Sequence, residues 1–183
     1  MRILMMLIPD GEADIAAGKS MLRLEYFADA YYVFHDRGIE VVLASPAGGT
    51  PRMGLARPGR ENRDGAVQRF RRDEQARDAL TDTIRLDQAY AEDFEGALCL
   101  GAPGPIWRRQ HDATGAALIA DFLAAGKPVA VIPSNVDLVP RGTAEGLLIT
   151  GDSAGTPLLA AHALVGALDG RAHSSEGTET PTR

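Results

Sequence analysis

Cysteine is almost missing from this chain. Cys99 stands alone among 183 residues, so no disulfide can form within the chain, and the usage fits a reducing compartment. Lysine is nearly as scarce. Lys19 and Lys127 are the only two, and arginine carries the rest of the positive charge. No apolar run is long enough to cross a bilayer; the first, Ile3 to Ile8, is closed off at once by Asp10, Glu12 and Asp14. The opening MRILMMLIPDGEAD is therefore read as a buried strand rather than an export signal or an anchor. No Cys/His cluster has metal-ligand spacing, and no GxGxxG opens a phosphate-binding helix, which points away from a metal or nucleotide cofactor. With a net charge of −6, neither nucleic acid nor an anionic membrane is expected as the main partner. The expected location is cytoplasmic.

What is present is the pattern of one α/β domain. The composition is 45% hydrophobic and 24% charged, that of a globular chain with one good core. Arg2–Ile8 predicts a first strand. A helix capped by Ser20 and reaching Arg37 follows, with Leu22, Tyr26, Phe27, Ala30, Val33 and Phe34 on its core side and Gly38 as its stop. Ile39–Ala44 is a second strand. Ser45 to Gly49 reads as a turn, and Thr50 to Arg69, polar and aperiodic, as an irregular excursion. Asp73–Asp82 predicts a short helix, and Leu86 to Tyr90 leads back to the sheet. The wholly apolar Ala97–Leu100 and Val129–Ile132 predict strands buried on both faces, separated by a helix over Asp112–Ala125. Leu147–Thr150 predicts a last strand and Pro157–Leu168 a last helix. Residues 1–170 form the expected single domain, and 171–183 a disordered tail. Alternating strands and helices imply a doubly wound sandwich with a mostly parallel sheet.

In such sheets ligands bind beyond the C-terminal ends of the strands. The stretch Gly126 to Asn135, GKPVAVIPSN, is therefore the centre of interest, since its buried strand stops abruptly at Pro133-Ser134-Asn135. The matching turn after the preceding strand is Gly101-Ala102-Pro103-Gly104-Pro105, followed by Trp107, Arg108, Arg109 and His111. Each candidate has a plainer alternative. Cys99 lies inside a strand, where a lone cysteine is a small buried hydrophobe. Ser134 is a hydroxyl nucleophile only with a base, and His111 is the histidine best placed in sequence to serve; otherwise Pro133-Ser134-Asn135 is a turn. Trp107 beside two arginines is a clamp for an anionic or aromatic ligand, or a capped turn. Glu25 and Asp29, at i and i+4, share a helix face that is a solvated face or part of the site. Tyr26 is core packing or a general acid.

Several segments in order resemble the DJ-1/PfpI superfamily, the class I glutamine-amidotransferase-like fold, nearest its Hsp31-like and PfpI-like branch. They are Ala30-Tyr31-Tyr32-Val33-Phe34, Gly38-Ile39-Glu40-Val41, Leu43 to Gly49, Arg69-Phe70 with Asp73 to Arg77, Thr83 to Leu86, Gly101 to Trp107, Gly126 to Ala130 and Thr150 to Gly155. The resemblance implies a flavodoxin-like three-layer sandwich and a homodimer. It also implies a cysteine at the elbow after the strand Val129–Ile132, a histidine next to it, a helix glutamate bonded to that cysteine, and backbone N–H groups at the glycine-rich turn. This chain departs from that set. Pro133 takes the cysteine position, Ser134 the histidine position and Tyr26 the glutamate position. Glu25 is one residue off, a rotation of ~100° on a helix. The stretch between elbow and closing turn, Val136 to Ile149, is also short. Two functions remain open. One is an enzyme without cofactor that works on a small molecule by acid–base or electrostatic chemistry, through Tyr26, Glu25 and Ser134 as catalytic groups. Gly101, Ala102, Trp107, His111, Pro133 and Asn135 would be its binding groups. The other is a non-catalytic binding or chaperone-like pseudoenzyme.

Overall fold

The computed structural model describes residues 1–9, 22–53, 65–101, 112–132, 146–150 and 156–176. Six parallel strands form one sheet in the order β3-β2-β1-β4-β5-β6. They are β1 (Arg2–Ile8), β2 (Glu40–Ser45), β3 (Ile84–Arg85), β4 (Gly96–Gly101), β5 (Val129–Ile132) and β6 (Leu148–Thr150). Five α-helices accompany them among the described residues: α1 (Leu24–His35), α2 (Gly65–Arg72), α3 (Glu74–Thr81), α4 (Asp112–Ala124) and α5 (Thr156–Glu176). The sandwich expected from the apolar strands is thus present, with every strand pair parallel.

The strands sort their side chains by parity, as pleated strands must. Ile3, Met5, Leu7, Leu98, Leu100, Ala130 and Ile132 face a core closed by α1, α2, α3 and α5. Leu4, Met6, Ile8, Ala97, Cys99, Val129 and Val131 face a second core closed by α4 and the short turns around Leu86 and Phe94. Sheet residues buried on both faces have no polar side, so these strands read as unbroken apolar runs.

Two helices end in the same way for the same reason. Gly38 and Gly126 have φ of 66° and 67°. Ile39 N–H bonds Phe34 C=O and Gly38 N–H bonds His35 C=O; Lys127 N–H bonds Phe122 C=O and Gly126 N–H bonds Leu123 C=O. Both are Schellman closures with glycine in the left-handed position, and each hands the chain to the next strand. Lys127 then donates through Nζ to the carbonyls of Ala91 (2.8 Å), Phe94 (2.6 Å) and Glu92 (3.4 Å), pinning the start of β5 to the turn before β4.

Several boundaries differ from the sequence reading, most by a single residue. Helix α1 starts at Leu24 with Arg23 at its N-cap and no side-chain cap, and Ser20 lies outside the described residues. The polar excursion ends earlier than expected, because Val67 and Phe70 bury one stripe of α2 over Gly65–Arg72. Asp73 then caps α3 by accepting from Ala76 N–H at 3.0 Å. Helix α5 runs to Glu176 rather than Leu168, so helix occupies the first residues of the expected tail; 177–183 lie outside the described residues. No described helix is long and apolar enough to cross a membrane.

The tightest point in the sheet is the end of β4. Gly101 pairs with Ile8, has φ of 144°, and a Cβ built there would stand 1.9 Å from the Ile8 carbonyl oxygen. Gly101→Ala therefore forces β1 and β4 apart and costs about 3 kcal/mol or more, seen as a lowered urea midpoint. Lys127→Met leaves three carbonyls without their shared donor and costs about 2 kcal/mol in the same measurement.

Candidate functional site

The chain runs from β1 outward to β2 and β3, then returns to the other side of β1 as β4. Connections therefore diverge at the β1–β4 boundary, and in open parallel sheets a ligand crevice lies at such a boundary, beyond the C-terminal ends of the strands. Ile8 and Gly101 pair at that end of the two strands. Helix α1 starts at that same edge, because it returns the chain to Glu40 at the opposite edge, beside Arg2. Its first turn holds Glu25 and Tyr26.

Glu25 is 2% exposed, and neither carboxyl oxygen has a hydrogen-bond partner. That corrects the solvated-face reading for Glu25. Its i+4 neighbour Asp29 stays half-buried on the outer side. Helix α1 packs against the sheet, α2 and α5, which leaves little of its circumference for water. A buried carboxyl group with no donor is costly. The cost is partly offset here by position, since the first turn of a helix is the positive end of its dipole.

Tyr26 is 6% exposed and is a member of neither apolar core cluster. Gly101 is buried at the end of β4. Ala102, Trp107, His111, Pro133, Ser134 and Asn135 all lie outside the described residues, as does the shortened stretch after Asn135 up to residue 145. The structure thus places Glu25, Tyr26 and Gly101 at one edge of the sheet. No group of three His, Cys, Asp or Glu suited to a metal occurs among the described residues.

Cys99 sits two positions before Gly101, on the α4 side of the sheet, and is 3% exposed. Burial pushes its thiol up to about 12. A thiol so placed is neither accessible nor ionised, and a thiolate is what cysteine chemistry needs. The sequence reading of Cys99 as a small buried hydrophobe holds.

A groove of about 490 Å³ lies elsewhere, over the outer side of α1 between α2 and α5. Its polar walls are largely occupied with each other. Arg69 grips Asp36 with both guanidinium nitrogens at 2.6–2.7 Å and stacks 3.9 Å from the centre of the Tyr32 ring. Tyr32 donates its hydroxyl to Asp73 at 2.9 Å. Burial, then the bond to Asp73, raises the Tyr32 phenol well above its ordinary value, while the Arg69 bond holds Asp36 low. This is a seam joining α1, α2 and α3, which sequence spacing alone does not reveal because its partners stand far apart in the chain.

The same fold recurs among solved structures. Glyoxalase III of Candida albicans matches with a TM-score of 0.67 at 12% identity, over 91% of this chain and 97% of that one. The fold is that of the DJ-1/PfpI structures. A ThiJ/PfpI domain protein of Brachyspira murdochii matches with a TM-score of 0.56 at 16% identity, over 92% and 95% of the two chains. Oxidised DJ-1 of Toxoplasma gondii matches with a TM-score of 0.54 at 14% identity, over 96% and 94%. No protein-family profile and no curated protein matches the sequence. On this DJ-1/PfpI fold the residue directly after β5 is Pro133, and the one cysteine of the chain is sealed inside β4.

Two measurements follow from the burial. In native protein at pH 8, Cys99 reacts with a disulfide reagent at least ~10²-fold more slowly than in urea-unfolded protein. Stability also falls with rising pH above the ordinary thiol value of 9.0: the unfolded chain gives up the Cys99 proton there while the folded chain keeps it to about 12. Tyr32, held neutral by burial and Asp73, acts in the same direction. A Cys99→Ala variant flattens the lower part of that alkaline slope.

Proposed function

We propose that this protein is a cofactor-independent enzyme of the DJ-1/PfpI fold that acts on a small molecule without a cysteine nucleophile. Glu25 carries the proposal: its carboxyl group is buried without a partner in the first turn of α1, at the edge where the parallel sheet opens its crevice. Proteins retain an unpaired buried carboxyl at a stability cost, and sites with such groups are places where function opposes stability. In this reading Glu25 moves the proton. Tyr26 serves as a second acid–base group, and Ser134 with the N–H groups of Gly101 and Ala102 holds the charge that develops on the substrate. Trp107, His111, Pro133 and Asn135 shape the binding surface. Hydration, elimination, isomerisation and cyclisation all need a proton moved within a shielded pocket and none needs a covalent nucleophile. The glyoxalase activity named for the Candida neighbour is not transferred, because Cys99 is buried within β4 and Pro133 follows β5.

The test works with the substrate still unidentified. A panel of small carbonyl and amine compounds is incubated with the protein in D₂O and followed by NMR for exchange at carbon or conversion. The proposal expects at least one compound to turn over. Cys99→Ala keeps that activity, and Glu25→Gln lowers it by about 10²-fold or more. Glu25→Met is expected to abolish activity while raising the urea midpoint by the equivalent of about 1–3 kcal/mol, since an apolar side chain replaces an unsatisfied carboxyl group. Equal activity in Glu25→Gln and wild type sinks the proposal.

A further inference from the structure

Both oxygens of Glu25 lack a donor, and this bears on what binds beside them. A carboxylate accepts at two oxygens and is matched by two parallel N–H donors. None of the described residues supplies either donor, and the buried Arg23, two positions earlier, does not bond Glu25. A neutral ligand with two parallel N–H groups can pair both oxygens but leaves the buried negative charge uncompensated, and an anion adds repulsion to the desolvation cost. A small cation with paired N–H groups satisfies both, and the chain's net charge of −6 favours its approach. We propose that the crevice takes a small organic cation of the amidinium or guanidinium class, held by a two-pronged contact to the Glu25 carboxylate. The inference rests on the reading of Glu25 as a ligand-facing group. It adds the recognition step: the contact that binds the cation also places an N–H proton on the carboxylate, and when that proton crosses, the N–H bond breaks, the O–H bond forms and the electron pair stays on nitrogen.

Acetamidine and benzamidine are the probes, with acetamide, benzamide, acetate and benzoate as neutral and anionic shape-matched controls. Binding is measured by calorimetry to the full chain at low salt. The expected result is saturable binding of at least one amidine, at least about tenfold tighter than its amide and carboxylate counterparts. Glu25→Gln is expected to remove that preference, with its fold checked by circular dichroism. Should Glu25→Gln fail to fold, Glu25→Met is used for the same comparison. Amide or carboxylate binding as tight as the amidine overturns the cation proposal; if that binding still depends on Glu25, the enzyme reading stands. Amidine binding unchanged in the Glu25 variants overturns the proposal, as does no binding of any probe. The D₂O exchange assay decides the enzyme reading separately, so the two fail in different experiments.

Discussion

Everything at the crevice depends on how closely β4 approaches β1. Their register runs from Ile3 opposite Gly96 to Ile8 opposite Gly101, and each end of β4 is a glycine with no room for a side chain. At Gly96 an added Cβ would stand 2.9 Å from the Pro128 carbonyl oxygen, and at Gly101 it would enter the Ile8 carbonyl. A one-residue slip would drive side chains into backbone at both ends and turn every side chain of β4 to the wrong layer. The register is thus set by sterics at two points and confirmed by burial in between. It places the open end of the sheet directly beside the first turn of α1.

The second organising feature is the Tyr32, Asp73, Arg69 and Asp36 seam. It joins three helices that the apolar core alone would hold loosely, because α2 buries only Val67 and Phe70. Its energy is modest, since Arg69 and Asp36 are largely exposed and exposed pairs are worth little. Its value is geometric. The stacked, bidentate arginine fixes α2 against α1 and so supports the helix that carries Glu25.

The strands were legible in the sequence because burial on both faces removes ambiguity: Arg2–Ile8 and Val129–Ile132 have the bounds read from the sequence. The helix stops were legible because glycine is needed at Gly38 and Gly126. Helix α2 was not, since a short helix with two buried residues and three arginines in its last turn has the composition of a loop. The extension of α5 escaped for a similar reason: beyond Leu168 small and polar residues give no apolar period to follow. Glu25 was legible as a candidate but not as a buried group. Helical spacing paired it with Asp29, and nothing local shows that Glu25 is buried where Asp29 is only half-buried. The elbow and the glycine-rich turn were singled out by composition; Gly101, read as the first residue of that turn, is the last residue of β4.

Lys127 has a consequence for the chemistry of the outer surface. Its amine is committed to three carbonyls, leaving Lys19 as the other lysine of the chain. Acylating reagents, amine cross-linkers and lysine-tagging enzymes all need a free ε-amino group. To them the folded domain offers almost no purchase, and a tag placed on Lys127 would first have to pull β5 away from the turn that precedes β4. Arginine, which supplies the rest of the chain's positive charge, presents none of that reactivity.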